Sequence, residues 1–154
     1  IVSALFLDFD GVLTDNRVWT DETGIESVVA SRGDGFGIAM LKKAGIEIIV
    51  ISKERNPVVA ARCKKMDVPY VQGVDDKTGI LKREQAKRKL DPSQTIFVGN
   101  DLNDLPAFPL VGWGVAVSDA MPEVLAQADF VLSKKGGYGA VRELCDLILS
   151  RKTD

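Results

Sequence analysis

Short apolar segments alternate with amphipathic segments along most of the chain. Between the apolar segments, Pro57 after Asn56 marks the start of one helix and Gly45 the end of another. Because strands that are apolar throughout and separated by helices form parallel sheets covered on both faces, the pattern predicts a doubly wound α/β fold with a mostly parallel sheet. The predicted strands are residues 4–7, 46–51, 70–72, 95–98, 113–117 and 129–132, and the predicted helices are residues 35–45, 56–66, 77–90 and 139–150.

One segment, residues 16–32, breaks this alternation. It contains two short β-type runs around the sequence "DETG", which predicts a β-hairpin inserted directly after the first strand. Trp19, Val28 and Val29 are expected to give the hairpin an apolar face. Because an isolated hairpin is only marginally stable in water, we expect this face to pair with another subunit.

The composition narrows the classes of function. The chain has 154 residues, which suits a single domain over residues 1–154, and its formal net charge of -2 gives no general attraction to nucleic acid or to an anionic membrane. No apolar run has the length of a membrane span and no basic leader precedes the first strand, so we expect a soluble, cytoplasmic protein. Cys63 and Cys145 have no metal-site spacing, and reduced thiols are expected.

The chain also contains no histidine. This excludes nucleophiles activated by histidine and metal ions bound by histidine, so any acid–base chemistry must use carboxylates, Lys, Tyr or Cys.

Polar side chains follow several predicted strands, at the edge where parallel sheets bind their ligands. They comprise carboxylates, a hydroxyl group, an amide and a lysine. In chain order these residues are Asp8, Asp10, Ser52, Lys77, Asn100, Asp101 and Asp104.

The first two of these carboxylates indicate a particular chemistry. Asp8 and Asp10 are two residues apart, so in an extended strand their side chains point to the same face. Two such charges require a cation, and oxygen ligands without nitrogen or sulfur favour Mg²⁺. With Lys77 in the same cleft to hold a phosphate, the set of residues predicts phosphoryl transfer through an aspartyl-phosphate.

In four ordered parts the sequence resembles the haloacid dehalogenase superfamily of phosphatases. These parts are "DFDGVLTD" at residues 8–15, Ser52 after an apolar strand, Lys77, and "GNDLND" at residues 99–104. The resemblance implies a Rossmann-like core, with Asp8 as the nucleophile and a ligand of Mg²⁺. It also implies that Asp10 is the general acid and base and binds the metal through its backbone carbonyl.

The same resemblance implies roles for the remaining parts. Ser52 and Lys77 would hold the phosphoryl oxygens, and Asn100 with Asp101 would complete the metal site. Asn100 departs from the family, which usually has Asp at this position, so we expect weaker metal binding unless Asp101 takes part. Asp104 is expected either to orient a ligand or to cap a helix.

The spacing of the motifs resembles one branch of the superfamily. The segments between Asp10 and Ser52 and between Lys77 and Gly99 are too short for a cap domain. The capless tetrameric branch contains octulosonate 8-phosphate phosphatases, nonulosonate 9-phosphate phosphatases and C-terminal domains of acylneuraminate cytidylyltransferases. It implies a homotetramer joined through hairpins and a 2-keto-3-deoxy sugar acid phosphate as the substrate.

Further residues have expected roles, most of them implied by this branch. Glu54 is expected to contact the substrate and favours a nine-carbon sugar acid. Arg32 is a second candidate for substrate contact, the alternative being a local pair with Asp34 in a loop. Gly136, Gly137 and Arg142 match a C-terminal segment that reaches the active site of a neighbouring subunit in the branch.

Two alternatives to an active phosphatase remain at this point. Asn100 and the absence of an initiator Met favour a non-catalytic oligomerisation domain cut from a longer cytidylyltransferase. A two-component receiver domain also combines Asp, a hydroxyl residue and Lys, but it carries the phosphorylated Asp after a later strand.

Overall fold

Six parallel strands form the central sheet of the computed structural model, which describes residues 1–152. These strands are β1 (Ala4–Leu7), β4 (Glu47–Ile51), β5 (Tyr70–Val71), β6 (Thr95–Gly99), β7 (Trp113–Ala116) and β8 (Phe130–Val131), and β2 (Trp19–Thr20) with β3 (Glu26–Ser27) forms a separate hairpin. The strand order in the sheet is β5-β4-β1-β6-β7-β8. The predicted doubly wound, mostly parallel fold is confirmed.

β1 lies at the centre of the sheet because its four residues are apolar and fully buried, which suits a strand covered on both faces. Leu7, its last residue, lies opposite Val50 of β4 and Val98 of β6. The chain continues from β1 towards β4 on one side and later returns to β6 on the other, so the strand order reverses beside β1. In open α/β sheets this reversal creates a crevice beyond the carboxyl ends of the strands.

Two groups of helices cover the sheet. α1 packs against α5 and contacts α2, whereas α3 contacts the long 3₁₀ helix, which in turn contacts α4. Right-handed crossovers on either side of β1 place these two groups on opposite faces of the sheet. The helices are α1 (Arg32–Lys43), α2 (Pro57–Met66), α3 (Lys77–Lys87), α4 (Pro122–Gln127), α5 (Ala140–Ser150) and the 3₁₀ helices Pro92–Gln94 and Leu102–Leu110.

The helix ends agree with local sequence signals. Asn56 accepts a hydrogen bond from the backbone N–H of Val58 and so caps α2, where Pro57 is the first helical residue, as expected. Gly45 follows the end of α1 with a φ of 82°, a left-handed conformation that favours glycine. α1 begins at Arg32, earlier than expected, so Arg32 and Asp34 belong to a helix and not to a loop.

The inserted hairpin is present but short. β2 and β3 pair antiparallel, with Trp19 opposite Ser27, and an isolated bridge between Thr14 and Ala30 closes its base. Its apolar residues face in two directions: Val28 packs against the core, whereas Trp19 is 74% exposed. The expected shared apolar face of Trp19, Val28 and Val29 is therefore wrong for Val28, and Val18 and Ile25 are the exposed companions of Trp19 and Val29.

Between β1 and β4 the chain forms only the hairpin and α1, and no cap domain is present in residues 1–152. None of the helices in this part of the chain combines the length and the apolar character that crossing a membrane requires.

Candidate active site

The residues that follow β1, β4 and β6 meet in one cleft of about 420 Å³ at the carboxyl edge of the sheet. The parallel registers of these strands bring their ends to the same level, which is why residues distant in sequence converge here. The cleft is lined by Asp8, Asp10, Asn16, Ser52, Lys53, Glu54, Arg55, Asp75, Asn100, Asp101 and Asn103.

A buried lysine joins two carboxylates at the base of this cleft. Nζ of Lys77 donates hydrogen bonds to Oδ1 of Asp8 and to Oδ1 of Asp104, each at 2.8 Å. Lys77 is only 4% exposed, and it lies at the first position of α3 because Asp76 caps that helix. Burial opposes the charged ammonium group, but Asp8 and Asp104 outweigh it and raise the pKa of Lys77.

Asp8 is itself buried, with an unusual pKa. Burial is the main reason that its pKa rises to about 7, and the negative charge of Asp104 adds to the rise. Lys77 acts in the opposite direction through its charge and its hydrogen bond. A second cation on the other side of the Asp8 carboxylate would favour its ionised form further.

Asp104 connects Lys77 to the loop after β6. Its Oδ2 accepts hydrogen bonds from the backbone N–H groups of Asn100, at 2.9 Å, and of Asp101, at 3.2 Å. It also takes part in the capping box that starts the 3₁₀ helix Leu102–Leu110. Both roles expected of Asp104, orienting a neighbouring group and capping a helix, are therefore present together.

Asp8, Asp10 and Asn100 bring three oxygen atoms close together. The side-chain amide of Asn100 faces the carbonyl oxygen of Asp10 and Oδ2 of Asp8, with its own oxygen directed at these two acceptors. Exchanging the amide oxygen and nitrogen would instead create hydrogen bonds of 3.1 and 2.9 Å to the same two atoms. Gly11 has a φ of 84°, and a Cβ at this position would collide with the Asn100 side chain.

The orientation of the Asp10 carbonyl has a local cause. The backbone N–H of Gly11 donates a hydrogen bond to Oγ1 of Thr14, which is fully buried. In a trans peptide the C=O and N–H groups point in opposite directions, so this bond aims the Asp10 carbonyl away from Thr14. Thr14 is a positioning residue that the sequence did not single out.

Asp10 is the second carboxylate of the cleft and is about half-buried. Burial is the main cause of a raised pKa of Asp10, and the negative charges of Glu54 and Glu26 raise this pKa further, whereas Lys77 lowers it. The raised pKa keeps the Asp10 carboxyl protonated over a wider pH range, as suits a group that donates a proton.

The loop after β4 supplies a hydroxyl group and a third acidic side chain. Ser52 is buried, and its Oγ accepts a hydrogen bond of 3.1 Å from the backbone N–H of Glu54. Oε1 of Glu54 accepts hydrogen bonds of 2.9 Å from the backbone N–H groups of Arg55 and Asn56. Both side chains line the cleft and are held in place by their own loop.

Two other candidate residues, Arg32 and Asp101, are less well placed for their expected roles. Arg32 is exposed at the start of α1 and is absent from the residues that line the cleft, so its predicted substrate contact is not supported within one chain. Asp101 lines the cleft, but its Oδ1 accepts the backbone N–H of Leu102 at 2.7 Å. Within the described chain, Asn100 is therefore better placed than Asp101 to bind a cation.

The C-terminal segment makes contacts within its own chain. The backbone N–H of Gly137 donates a hydrogen bond to the carbonyl of Val12, and Gly136 packs against Gly11 of the same chain. Arg142 lies on α5, with its guanidinium group 5.1 Å from the ring centre of Phe36. Gly136 and Gly137 thus support the catalytic loop of their own chain, and a contact of this segment with a neighbouring active site stays a prediction.

Sequence reasoning also missed two cations at the rim of the cleft. Lys53 and Arg55 flank Glu54, line the cleft and are exposed. Neither forms an ion pair within residues 1–152. Their position in the loop directly after β4 was a usable signal, since such loops form the walls of the crevice.

Comparisons with known proteins identify the family of the chain. A sequence profile described as haloacid dehalogenase-like hydrolase matches residues 70–144. The chain is 36% identical over 149 residues to the 3-deoxy-D-manno-octulosonate 8-phosphate phosphatase KdsC of Escherichia coli K12, covering 96% of this chain and 79% of the relative.

Two solved structures of proteins named as octulosonate 8-phosphate phosphatases have the same fold as this chain. The first is a 3-deoxy-D-manno-octulosonate 8-phosphate phosphatase from Yersinia pestis, with a TM-score of 0.96, 35% identity and coverage of 99% of this chain and 83% of that chain. The second is the corresponding phosphatase from Moraxella catarrhalis, in complex with a magnesium ion, a phosphate ion and a KDO molecule. Its TM-score is 0.93, with 33% identity and coverage of 97% of this chain and 86% of that chain.

Proposed function

The chain belongs to the haloacid dehalogenase-like hydrolases and is a phosphatase, and from this premise we propose that it hydrolyses a 2-keto-3-deoxy sugar acid phosphate with Mg²⁺ and an aspartyl-phosphate intermediate on Asp8. The observation that carries the proposal is the convergence of Asp8, Asp10 and Asn100 oxygens beside a lysine that is bonded to the same Asp8 carboxylate. Family membership removes the receiver-domain alternative and favours an active enzyme over a purely structural domain.

The three converging oxygens fit a divalent cation. In the described residues no three His, Cys, Asp or Glu side chains are grouped to hold a metal ion, so a cation at this edge needs the carbonyl of Asp10 and the amide oxygen of Asn100 in addition to Asp8. Carboxylate, carbonyl and amide oxygens are hard ligands of the kind that Mg²⁺ prefers. When bound, Mg²⁺ would offset the negative charge of the phosphoryl group.

Asp8 supplies the nucleophile in this proposal. One carboxylate oxygen of Asp8 attacks phosphorus while the bond between phosphorus and the ester oxygen breaks, which leaves the phosphoryl group on Asp8. Lys77 lowers the pKa of Asp8 and so favours its ionised form; it also fixes the orientation of this carboxylate, and Asp104 in turn fixes Lys77.

Asp10 moves the protons in both steps. Its carboxyl group gives a proton to the departing ester oxygen, which leaves as the sugar alcohol. The resulting carboxylate accepts a proton from water, whose oxygen attacks phosphorus and breaks the bond to Asp8. The products are inorganic phosphate and the original Asp8, and the raised pKa of Asp10 suits the first of these transfers.

The rim of the cleft suits an anionic sugar. Lys53 and Arg55 are exposed cations without an ion pair in the described residues, so a substrate carboxylate has partners at the rim while its phosphate lies near Ser52 and Asp8. The names of the relatives favour an eight-carbon octulosonate 8-phosphate, whereas the Glu54 carboxylate favours a nine-carbon nonulosonate 9-phosphate. Both substrates belong to the proposed class.

A homotetramer is part of the proposal. The cleft is open to solvent and the hairpin beside it exposes Val18, Trp19, Ile25 and Val29. Apolar side chains clustered on a protruding hairpin are typical of a surface that is covered in an assembly. Cys63 and Cys145 are both free and buried, which supports a cytoplasmic location as a further prediction.

The test is a measurement of phosphate release from octulosonate 8-phosphate and nonulosonate 9-phosphate, with and without Mg²⁺. We expect release from at least one of them with Mg²⁺, loss of release in Asp8→Asn, and a covalent phosphate labile to hydroxylamine in acid-quenched wild-type enzyme. Asp75→Asn is the matched control, because Asp75 lines the same cleft without a place in the mechanism. Absence of release with Mg²⁺, or equal release by Asp8→Asn, would refute the proposal.

A further inference from the structure

A loop from the C-terminal part of the chain supports the back of the catalytic loop. Residues 133–139 connect β8 to α5 and lie against residues 11–15. A Cβ on Gly136 would collide with the carbonyl oxygen of Gly11, and one on Gly137 would collide with the backbone of Thr14 and Asp15. The backbone N–H of Gly137 also donates a hydrogen bond of 3.2 Å to the carbonyl of Val12.

A turn at residues 117–121 holds this loop in place. Oδ1 of Asp119 accepts a hydrogen bond of 3.0 Å from the backbone N–H of Gly136. The backbone N–H of Ser118 donates a second bond, of 3.1 Å, to the carbonyl of Lys134. These two bonds connect the turn to the loop that contains Gly136, which lies against the Gly11 carbonyl.

The same turn is bonded to the other half of the candidate metal site. The backbone N–H of Met121 donates a hydrogen bond of 2.9 Å to the carbonyl of Asn100. One turn therefore contacts Asn100 directly, and through Gly136 it contacts the carbonyl of Gly11, the residue that follows Asp10. The Asp10 carbonyl and the Asn100 side chain therefore belong to two segments that the same turn contacts.

We propose that Asp119 is a positioning residue for the metal site: by holding Gly136 against Gly11, it maintains the spacing between the Asp10 carbonyl and Asn100 that Mg²⁺ requires. This inference rests on the proposed function. Asp119 touches no reacting atom, and its side chain is exposed, so its removal should leave the folded core intact. Its effect should be seen in the affinity for Mg²⁺, because metal ligands depend on the groups that orient them.

The chain offers a matched control at the opposite edge of the sheet. Asp129 is also exposed, and its Oδ2 accepts a backbone N–H bond of 2.7 Å from a glycine, Gly114, near the start of β7. Asp129→Ala thus deletes the same kind of hydrogen bond without a connection to the catalytic loop.

The experiment measures the dissociation constant of Mg²⁺ by calorimetry for the wild type, Asp119→Ala, Asp119→Asn and Asp129→Ala, together with amide hydrogen exchange in residues 9–15. We expect Asp119→Ala to weaken Mg²⁺ binding about 10-fold and to speed exchange in this loop. Asp119→Asn should restore most of the affinity, because its amide oxygen accepts the same N–H. Asp129→Ala should bind Mg²⁺ like the wild type.

The results separate the two proposals. Equal Mg²⁺ affinity in the wild type and Asp119→Ala, or equal weakening in Asp119→Ala and Asp129→Ala, would overturn the role of Asp119 while leaving the phosphatase proposal intact. A wild type that binds no Mg²⁺ would overturn the metal dependence of the proposed function and, with it, this role of Asp119.

Discussion

Ionisation of the buried carboxyl group of Asp34 should reduce the stability of the folded protein at neutral pH. Asp34 lies in the first turn of α1 and is only 1% exposed. Its Oδ1 accepts a hydrogen bond of 2.9 Å from the backbone N–H of Arg142, near the start of α5, whereas its Oδ2 has no hydrogen-bond partner among the described residues. We therefore expect Asp34→Asn, which removes the charge and keeps the Oδ1 acceptor, to stabilise the protein at pH 7.

The magnitude follows from the pKa of the group. Burial is the main cause that raises the pKa of Asp34 to about 6 from the model-peptide value of 3.8, and it outweighs the opposing Arg142 hydrogen bond and the charges of Arg62, Lys134 and Arg142. Because each pKa unit corresponds to about 1.4 kcal/mol, ionisation of Asp34 costs the folded state about 3 kcal/mol.

Proton binding determines the sign of the change in unfolding free energy with pH. Between about pH 4 and pH 6 the folded protein keeps a proton on Asp34 that the unfolded chain has already lost. This contribution to stability is complete below pH 4 and is lost as the pH rises through 6. Asp34→Asn cannot ionise, so its advantage over the wild type should grow from near zero at pH 4 to about 3 kcal/mol at pH 7.

The assay is urea-induced unfolding followed by circular dichroism at several pH values and one protein concentration. Differences between variants are compared at each pH, which cancels the titration of the other carboxylates. Asp146→Asn serves as the control, since this exposed carboxylate pairs with the same Arg142 and should change stability by less than about 1 kcal/mol at every pH. An Asp34→Asn protein that is less stable at pH 7, or an advantage that does not vary with pH, would show that Asp34 is not a buried carboxyl group with a raised pKa.

Three further predictions concern the site and the assembly. Asn100→Asp should strengthen Mg²⁺ binding because it adds a negative charge, and it should lower the melting temperature without metal because it places a second carboxylate against Asp8. Thermal melts over a Mg²⁺ titration test both effects, and an unchanged Mg²⁺ response would contradict the metal site. Trp19→Ser should reduce the native mass measured by light scattering, whereas Phe130→Ser on the edge strand β8 should leave it unchanged. An unchanged native mass in both variants would count against assembly through the hairpin. Arg55→Ala should raise the KM for a sugar acid phosphate about 10-fold while leaving the KM for a neutral sugar phosphate unaltered. Equal changes in the KM of both substrates would exclude a contact between Arg55 and the substrate carboxylate.

The fold and the centre of the site were accessible from sequence because their signals are local. The apolar run of β1 and the carboxylates after it define a buried parallel strand and its binding edge, and Lys77 follows Asp76, a strong capping residue. The strand ends are aligned by the sheet itself. A prediction made one segment at a time was therefore enough to place Asp8, Lys77 and Asn100 at the same edge of the sheet.

The errors concern contacts between distant segments. Nothing in the neighbourhood of Asp34 reveals that its partner is the N–H of Arg142, more than a hundred residues away, so a local pair with Arg32 was the natural expectation. The 3₁₀ helix Leu102–Leu110 was missed because Pro106 and Pro109 interrupt the pattern of an α-helix. The support of Gly11 by Gly136 is likewise a matter of tertiary packing.

The shared register of the three central strands also limits how the chain can change in evolution. Leu7 is paired with both Val50 and Val98, so the residues that follow β1, β4 and β6 emerge at one height. Deleting one residue within β6 would withdraw Asn100 by about 3.3 Å and turn the preceding side chains to the other face of the sheet. Insertions and deletions that homologues retain should therefore avoid these three strands and collect in the hairpin turn and in the connections at the opposite edge, where no candidate site residue lies.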